Sequence, residues 1–450
     1  MNTSLIILAA GKGTRMNSEL PKVLHPIAGD PMLIHAMAAG ATLDPQHTIV
    51  VAGHGAETVT AAATAHDEDA QVVVQTEQLG TGHAVDQAKA ALAGFEGTAI
   101  VLYGDTPFVS PQTLERMMEA ATTADVVVLG FEAADPGRYG RLITDGTSLE
   151  KIVEFKDATE AELAVTLCNS GVIACNASLL FDLIAEVGND NASGEYYLTD
   201  IIGLARARGL TATAVTCDEA ETLGVNSRAQ LADAEAAFQT RARAALMEDG
   251  VTLQAPDTVF LARDTVIGRD TLVEPNVVFG AGVTVESGAQ IRAFSHLEGC
   301  HVSRGAVVGP YARLRPGAEL QENARIGNFV EIKNAVLAEG AKVNHLSYVG
   351  DAFVGARANI GAGTITCNYD GVMKHHTHIG SDAFIGSNTM LVAPVQVGDG
   401  AMTGSGSVIT SDVEPEALAL ARAPQVEKPG MARKLMDMLK AKKAKQQRSS

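Results

Sequence analysis

Small residues and cations follow the first apolar run of the chain, in Leu8-Ala-Ala-Gly-Lys-Gly-Thr-Arg-Met16. The loop lacks a Walker A ending, and Met16 stands where the dinucleotide fingerprint has its third glycine. What remains is a turn whose backbone N–H groups can approach an anion, with Arg15 and Lys22 adding positive charge. This combination suits a triphosphate, because neutralised charge makes its inner phosphorus an electrophile. A tight turn with surface charges is the alternative.

Asp105 is the candidate metal ligand. It follows the apolar run Ala99-Ile-Val-Leu-Tyr103, which is typical of a buried strand, and it precedes Pro107. A carboxylate at such a strand end can hold Mg²⁺, which prefers oxygen ligands together with substrate phosphate oxygens. The alternative is a turn residue resembling a helix N-cap.

His345 is the candidate base in the second half of the chain. It lies in one of several polar segments, which span residues 313–318, 327–333, 343–351 and 359–371. Acyl transfer to an amine needs a base, because a protonated amine has no lone pair with which to attack a thioester. Histidine is the side chain whose pKa suits that task near neutrality. Taken alone, a histidine here is more often a surface or packing residue.

These motifs, taken in order, resemble a known family. The glycine-rich turn is similar to the signature of sugar nucleotidyltransferases. Further motifs narrow the resemblance to the bifunctional N-acetylglucosamine-1-phosphate uridylyltransferases / glucosamine-1-phosphate acetyltransferases, the GlmU enzymes, over residues 5–424. They are Gln75-Thr-Glu-Gln-Leu-Gly-Thr-Gly-His-Ala84, Tyr103-Gly-Asp105, Tyr139-Gly-Arg141, Glu154, Cys168-Asn-Ser-Gly171 and the four polar segments of the second half.

In the first half, the resemblance implies uridylyl transfer from UTP to N-acetylglucosamine 1-phosphate, with Mg²⁺ held by Asp105 and Asn226. Lys22 and Arg15 would stabilise charge while the sugar phosphate attacks the α-phosphorus and pyrophosphate leaves. Gly140, Glu154 and Asn169 would hold the sugar. The implied contacts to UTP and UDP-N-acetylglucosamine are Leu8, Ala9, Ala10, Gly11, Lys22, Gln75, Gly80, Thr81, Tyr103, Gly104, Asp105, Gly140, Glu154, Asn169 and Asn226.

In the second half, the resemblance implies acetyl transfer from acetyl-CoA to glucosamine 1-phosphate, with His345 as the base. Ser405 stands where the family often has a small apolar residue, and the tail after Pro429 lacks an aromatic often seen there. Both departures concern the coenzyme end alone. The implied sugar-phosphate contacts are Arg315, Lys333, Tyr348, Asn359 and Lys374, and the implied acetyl-CoA contacts are Ala362, Asn368, Tyr369, Ser387, Ser405 and Arg422.

The elements that position the first set alternate in type up to about residue 225. Strand, helix, strand in succession predicts an α/β fold, a mostly parallel Rossmann-like sheet with helices on both faces. Ligands of such sheets bind beyond the carboxyl ends of the strands, here after Leu8, Gln75 and Tyr103. The runs that predict buried strands are 5–8, 48–52, 71–75, 99–103 and 125–129, and the helical stretches between most of them are 31–41, 56–65, 82–93 and 111–121.

The second set lies in a region with a six-residue repeat, from Ile267 to about Ile409. A period this short fits neither a helical face nor strict alternation. It predicts short strands with one inward aliphatic each, joined by tight corners, which is a parallel β-helix. The resemblance adds a left-handed coil of three hexapeptides per turn. The repeat breaks at 334–347 and 362–374, where loops should leave the coil.

Residues 227–249 contain neither glycine nor proline and predict a connecting helix. The predicted domains are therefore 1–226, the linker 227–249, the β-helix 250–425 and a basic tail 426–450. The last 19 residues carry a net charge of +6, against −25 for the remainder. A solvated terminus with a short helix over 434–440 is one interpretation of the tail, and contact with a polyanionic cofactor or a neighbouring subunit is the other.

Composition excludes several functional classes. The 450 residues are 46% hydrophobic, yet no run suits a membrane span, and the N-terminus has no signal-peptide pattern. Five cysteines without a C-x-x-C pair favour a reducing cytoplasm over a disulfide framework or thiolate zinc site. A net charge of −19 disfavours nucleic-acid binding. The histidines of Lys374-His-His-Thr-His378 favour a solvated loop over a metal site, because no carboxylate is expected at ligand spacing.

The resemblance also implies a homotrimer with acetyl sites between subunits. Two rival interpretations remain open. One is a glucose-1-phosphate nucleotidyltransferase with a regulatory β-helix. The other is a β-helix that serves only as a scaffold for trimerisation and partners.

Overall fold

The computed structural model of the chain describes residues 2–448, which form two compact units. The first comprises Met1–Ala245 with Phe260–Arg263, and the second comprises Leu246–Val259 with Asp264–Ser450. Met1, Ser449 and Ser450, which belong to the predicted domains, lie outside the described residues.

The strands of the first unit are β1 (Thr3–Ala9), β2 (Pro26–Ile27), β3 (Asp30–Pro31), β4 (His47–Ala52), β5 (Gln71–Val74), β6 (Thr98–Tyr103), β7 (Val126–Glu132), β8 (Arg141–Asp145), β9 (Ser148–Val153), β10 (Leu167–Asn176), β11 (Ala212–Cys217) and the short Phe260–Leu261. The unit is built around a mixed sheet with the order β11-β7-β10-β6-β1-β4-β5, a hairpin of β8 and β9 lies beside β10, and β2 and β3 pair with each other. Strand β1 is parallel to β4 and β6, whereas β10 runs antiparallel to β6 and β7.

Helices cover both faces of this sheet, so the predicted fold class is confirmed. Along β1 the side chains alternate between two cores: Ile6 and Leu8 pack in one, and Leu5 and Ile7 in the other. The helices are α1 (Met32–Ala41), α2 (Ala56–His66), α3 (Thr81–Asp86), α4 (Pro111–Ala120), α5 (Glu160–Leu163), α6 (Ala177–Ile184), α7 (Ile201–Ala207) and α8 (Arg228–Glu248).

Two sequence predictions for this unit need correction. The strand predicted as fully buried at 71–75 is β5, at the edge of the sheet, where Val74 is 46% exposed. An edge strand has a neighbouring strand on one side only, and an apolar run in the sequence does not show whether a strand lies at the edge of its sheet. The helix predicted at 82–93 is regular only over Thr81–Asp86 and continues as turns.

The second unit is a parallel β-helix whose short strands stack in three columns. The first column contains Thr252–Leu253, Leu272–Val273, Gln290–Ile291, Val307–Val308, Arg325–Asn328, Lys342–His345, Asn359–Ile360, Phe384–Ile385, Met402–Thr403 and Leu418–Ala419. The second contains Val278–Phe279, His296–Leu297, Arg313–Leu314, Ile365–Cys367, Met390–Val392 and Val408–Ile409, and the third Val266–Ile267, Thr284–Val285, Cys300–Val302, Ala318–Leu320, Thr377–Ile379 and Val395–Val397. The longer strands Glu331–Leu337 and Tyr348–Val354 turn the corner between these two columns.

The six-residue repeat corresponds to the inward residues of these strands. Val273 pairs with Ile291, one coil of 18 residues later, and Ile291 pairs with Val308. All three side chains are fully buried. Each coil therefore contains three strands, and each strand supplies an aliphatic side chain to a narrow core.

The loop predicted at 334–347 is absent from the described chain, and that prediction is wrong. The coil shortens one step to five residues, between buried Ile332 and Leu337, as it does between Leu297 and Val302. The second predicted loop, 362–374, begins later than expected. The coil continues through Ile365–Cys367, and residues 368–376 form the excursion.

The basic tail forms helix α9 (Met431–Arg448), which is much longer than the predicted 434–440. Its described side chains are exposed. Within residues 2–448, every helix is too short or too polar to cross a membrane.

Candidate active sites

A cavity of about 270 Å³ opens at the carboxyl ends of β1 and β6. Its described lining includes nine residues named from the sequence: Leu8, Ala10, Gly11, Lys22, Gln75, Gly80, Thr81, Tyr103 and Asp105. The remaining lining residues were not assigned a role from the sequence, although two of them belong to the motif of residues 75–84; they are Val23, Gln78, Ala84 and Glu195. Gln78 closes one side of the cavity, because its amide donates to the carbonyl of Ala10 at 2.7 Å.

Seven of the residues proposed for this half of the chain lie outside the cavity lining: Gly140, Glu154, Asn169 and Asn226, and also Ala9, Gly104 and Arg15. Ala9 packs into the core below β1, and the Gly104 N–H donates to the carbonyl of Leu8 at 3.0 Å. Arg15 is exposed on the helical turn Thr14–Met16. A role for Arg15 in charge stabilisation therefore requires its long side chain to swing toward a bound ligand.

The turn after β5 must carry glycine at position 80. Gly80 has φ +118°, and a Cβ there would lie 2.6 Å from the carbonyl oxygen of Tyr196. The carbonyl of Gly80 accepts from the amide of Gln75 at 3.1 Å, and Tyr196 accepts from the N–H of Gly82 at 2.8 Å. These bonds hold the cavity wall at the start of α3 in a single position.

Lys22, Asp105 and Asn226 meet at one edge of the cavity. The Lys22 ammonium forms an ion pair with the Asp105 carboxylate and donates to the side-chain carbonyl oxygen of Asn226 at 3.1 Å. The side chains of Lys22 and Asp105 are only 11% and 19% exposed. Two oxygen ligands from distant parts of the chain thus converge on one cation, as a shared divalent ion would require.

Gly140, Glu154 and Asn169 meet in a second cluster. A Cβ at Gly140 would touch the Glu154 carboxyl at 3.5 Å and the Asn169 side chain at 3.6 Å. Burial raises the pKa of Glu154, although a hydrogen bond from Thr199 opposes the shift. Burial, with Asp105 and Glu154 nearby, likewise raises the pKa of Tyr103, so its phenol stays protonated between the cavity and this cluster.

In the β-helix, His345 is exposed at the end of its strand, beside Asn328 of the preceding coil. Its Nδ1 lies 2.8 Å from the side-chain carbonyl oxygen of Asn328. Because a carbonyl oxygen accepts, a hydrogen bond between these two atoms makes Nδ1 the donor and leaves Nε2 as the ring nitrogen without this partner. The pair with Asn328 therefore favours the tautomer in which Nε2 could accept a proton.

Of the basic residues expected to bind a sugar phosphate, Arg315 and Lys333 lie along the neighbouring column and Lys374 lies in the 368–376 excursion. Lys333 and Lys374 approach each other, and this contact lowers the pKa of Lys333. Arg315 forms an ion pair with Glu331 at 2.8 Å. Tyr348 begins the strand of the next coil and pairs with Glu331 in register. Asn359 differs, since it lies on the first column and pairs there with Lys342.

Four of the residues expected to bind acetyl-CoA lie together at one corner of the coil. Ala362, Ser387 and Ser405 each follow by two positions the stacked residues Ile360, Ile385 and Thr403. Arg422 closes this column, because its guanidinium donates to the carbonyl of Ser405 at 2.8 Å.

The other two, Asn368 and Tyr369, begin the 368–376 excursion. Asn368 is buried, whereas Tyr369 is 61% exposed and its hydroxyl donates to the carbonyl of Gly371 at 2.6 Å.

The expectation of a histidine run without a nearby carboxylate is wrong. His375 lies 2.7 Å from the carboxylate of Asp370, whose pKa falls to about 2 largely because of this contact. His375 and His376 belong to the excursion rather than to a strand, and His378 stacks on Phe353. Within residues 2–448, these side chains do not form a cluster suited to a metal ion.

Comparisons with known proteins match both halves of the chain. A MobA-like NTP transferase domain matches residues 5–171, and the bacterial transferase hexapeptide model (six repeats) matches 376–411. The curated protein "Bifunctional protein GlmU" of Roseobacter denitrificans is 72% identical over the full length of both chains, and that of Ruegeria pomeroyi is 73% identical, also over both full lengths. The chain belongs to the GlmU family. Among solved structures, a UDP-glucose pyrophosphorylase complexed with UDP-glucose covers 54% of this chain and is itself fully covered, at 19% identity and a TM-score of 0.45.

In this GlmU chain, structure reveals supporting residues that sequence reasoning did not select. Arg141 is 2% exposed, and its guanidinium donates to the carbonyls of Pro136 at 3.3 Å, Gly137 at 3.2 Å and Tyr139. It thereby holds the turn that precedes Gly140. The motif Tyr139-Gly-Arg141 signalled its importance, but the carbonyl partners became visible only in the fold.

Arg228 is a second such residue, at the start of α8. It donates to the carbonyl of Met16 at 3.3 Å and to Nδ1 of His25 at 3.2 Å. His25 is 2% exposed, and burial followed by the charge of Arg228 lowers its pKa, which keeps the ring neutral. Arg228 therefore ties the glycine-rich turn to the helix that follows Asn226.

Replacing Arg228 by methionine should lower kcat/KM for uridylyl transfer about ten-fold, because a buried acceptor on His25 loses its donor. Steady-state formation of UDP-N-acetylglucosamine measures this, with acetyl transfer by the same chain as an internal standard. Arg208→Met removes an exposed ion pair with Glu186 and serves as the matched control. Equal losses of both activities would contradict the assignment.

Proposed function

We propose that this GlmU enzyme makes UDP-N-acetylglucosamine in two steps at separate sites. The β-helix transfers an acetyl group from acetyl-CoA to glucosamine 1-phosphate, and the first unit transfers UMP from UTP to the product, releasing pyrophosphate. The proposal rests on one observation, which is that a single chain contains two separate candidate sites. Lys22, Asp105 and Asn226 converge at the cavity, while His345 and the lysines lie on the β-helix.

For uridylyl transfer, the sugar phosphate oxygen attacks the α-phosphorus of UTP and the bond to the β-phosphate breaks. This step needs neutralised charge and in-line placement rather than a protein nucleophile. We assign Asp105 and Asn226 as holders of Mg²⁺, since their oxygens already share the Lys22 cation. A bound ion would supply charge neutralisation at the triphosphate. The Lys22 ammonium, at the same edge of the cavity, would contact phosphate.

For acetyl transfer, Nε2 of His345 takes a proton from the ammonium of glucosamine 1-phosphate. The freed amine attacks the thioester carbonyl and the C–S bond breaks. The imidazolium of His345 protonates the departing thiolate of coenzyme A, and the new amide nitrogen loses its second proton to solvent. Lys333, Lys374 and Arg315 hold the sugar phosphate, with Tyr348 and Asn359 at its hydroxyls. The column of Ala362, Ser387 and Ser405, closed by Arg422, accepts the coenzyme together with Asn368 and Tyr369.

Mass analysis of products tests both steps together. The purified protein is incubated with glucosamine 1-phosphate, acetyl-CoA, UTP and Mg²⁺, and each component is then omitted in turn. We expect UDP-N-acetylglucosamine only in the complete mixture, and N-acetylglucosamine 1-phosphate when UTP is left out. Formation of a UDP-sugar without acetyl-CoA would instead favour the rival nucleotidyltransferase with a regulatory β-helix.

We assign the domains as 1–226, a linker 227–249, the β-helix 250–425 and the tail 426–450. Helix α8, which covers most of the linker, and the boundary of the compact units near Ala245 support this division. We place the enzyme in the cytoplasm, where its substrates occur. Its five cysteines are all free, which suits a reducing compartment.

A homotrimer is the proposed assembly, and a column of exposed aromatics supports it. Phe294, Tyr311 and Phe329 stack at one corner of the coil, with ring centroids 4.9 and 5.2 Å apart. They are 50%, 47% and 56% exposed, and Leu346 above them is 63% exposed. A contiguous apolar surface of this kind marks an interaction site. Because Tyr311 and Phe329 line the groove that contains His345, a second copy here would complete the acetyl site.

Replacing Tyr311 and Phe329 together by asparagine should dissociate the assembly and abolish acetyl transfer, while uridylyl transfer continues. Asparagine tolerates the positive φ angles of 56° and 54° at these positions, so the coil itself should persist. Light scattering during gel filtration measures the mass. A trimer of unchanged mass would exclude this surface as the interface.

A further inference from the structure

Asp351 is a buried carboxylate at a corner of the β-helix, 7% exposed and with a positive φ of 47°. The amide of Asn334 donates to one of its oxygens at 2.6 Å, and the amide of Asn368 donates to the other. Asn334 lies one coil below, whereas Asn368 is the first residue of the 368–376 excursion. Both carboxylate oxygens therefore accept hydrogen bonds from side chains of neighbouring coils.

The backbone beneath Asp351 is fixed by an unusual inward residue. The strand ladder pairs Tyr348 with Ile365 and resumes only at Ala352 with Thr377. Thr366 fills the gap: its hydroxyl accepts from the N–H of Gly350 at 2.8 Å and donates to the carbonyl of Gly350 at 3.0 Å. Thr366 thus stands where most strands have an inward aliphatic side chain. Its two hydrogen bonds hold the backbone of Gly350, the residue before Asp351.

Cations surround this carboxylate. Burial alone would raise the pKa of Asp351, but the bonds from Asn334 and Asn368 and the charges of Lys374 and Lys333 lower it. Lys333 in turn faces Lys374 and Arg315, which lower its pKa, and Asp351, which opposes them. Asp351 is therefore an anion that interacts with the lysines expected to hold the sugar phosphate.

We propose that Asp351 is a positioning residue of the acetyl-transfer site, which anchors Asn368 and keeps Lys333 and Lys374 together as cations. This role rests on the proposed acetyl transfer. It accounts for two lysines that approach each other in the absence of substrate, since the buried carboxylate offsets part of their repulsion. It also explains how an excursion can present Asn368 to the coenzyme in one orientation.

Asp351→Asn tests the role, because asparagine accepts the same φ and nearly the same volume. We expect kcat/KM for acetyl-CoA to fall about ten-fold, since the amide of Asn368 loses a charged acceptor. The KM for glucosamine 1-phosphate should change by a smaller factor. The alkaline limb of acetyl transfer should move to lower pH, because Lys333 loses the anion that favours its charged form.

Asp270→Asn is the matched control, an exposed aspartate at another corner with φ 63°, and should leave acetyl transfer unchanged. Uridylyl transfer by Asp351→Asn reports whether the chain still folds. Unchanged acetyl transfer in an active Asp351→Asn enzyme would overturn the role alone, as would equal loss for both substrates with an unmoved alkaline limb. A wild-type enzyme that fails to acetylate glucosamine 1-phosphate would overturn the proposed function and this role with it.

Discussion

Asp105→Ala should abolish uridylyl transfer while acetyl transfer continues at its original rate. The variant removes one of the two oxygen ligands that converge on Lys22 and leaves the ammonium without its carboxylate. Loss of preorganised charge stabilisation at a reacting centre costs about 10²- to 10³-fold in rate, and loss of the metal adds to this. Release of pyrophosphate from UTP, followed against Mg²⁺ concentration, measures the effect.

The dependence on Mg²⁺ distinguishes a ligand from a structural residue. Asp105→Asn retains an oxygen, so it should recover part of its activity at high Mg²⁺, whereas Asp105→Ala should not. Asp182→Ala, an exposed aspartate on α6 of the same unit, is the control and should behave as the wild type. Removal of the metal with a chelator should stop uridylyl transfer alone. UDP-sugar formation that survives either treatment would refute the metal assignment.

Nine residues named from the sequence line one cavity because they come from short segments at strand ends. Leu8, Gln75 and Tyr103 each end an apolar run, and parallel strands bring their ends to one edge of a sheet. The β-helix was equally visible, since each inward residue repeats at nearly constant spacing and all contacts are between neighbouring coils. Local pattern therefore predicts both architectures.

The supporting residues were not predictable in this way, because their partners are distant in sequence or belong to the backbone. Arg228 lies 212 positions from Met16, and Arg141 binds carbonyls, which every residue carries. In the sequence, Asp351 is distinguished only as the last residue of the polar segment 343–351. Its role depends on Asn368, which reaches it because the coil is interrupted there. The sequence also does not distinguish a shortened corner from a loop. The five-residue steps after Leu297 and Ile332 interrupt the six-residue repeat in the same way as a loop would.

The base and the phosphate site proposed for acetyl transfer have different supporting residues. His345 depends on Asn328 across the first column, while the lysines depend on Asp351 at the far corner of the second. The base must be neutral to accept a proton, and the phosphate site must be positive.

His345→Ala should therefore lose acetyl transfer by about 10²- to 10⁴-fold, the usual contribution of a general base, while uridylyl transfer is unchanged. Coenzyme A release measures the first activity and pyrophosphate release the second. Asn328→Ala should show a smaller loss, because it frees the ring without removing it. His301→Ala, which removes a partly exposed histidine paired with Glu286 on the same β-helix, is the control and should retain both activities. If His345→Ala acetylated glucosamine 1-phosphate at the wild-type rate, the base would have to be sought elsewhere on the coil.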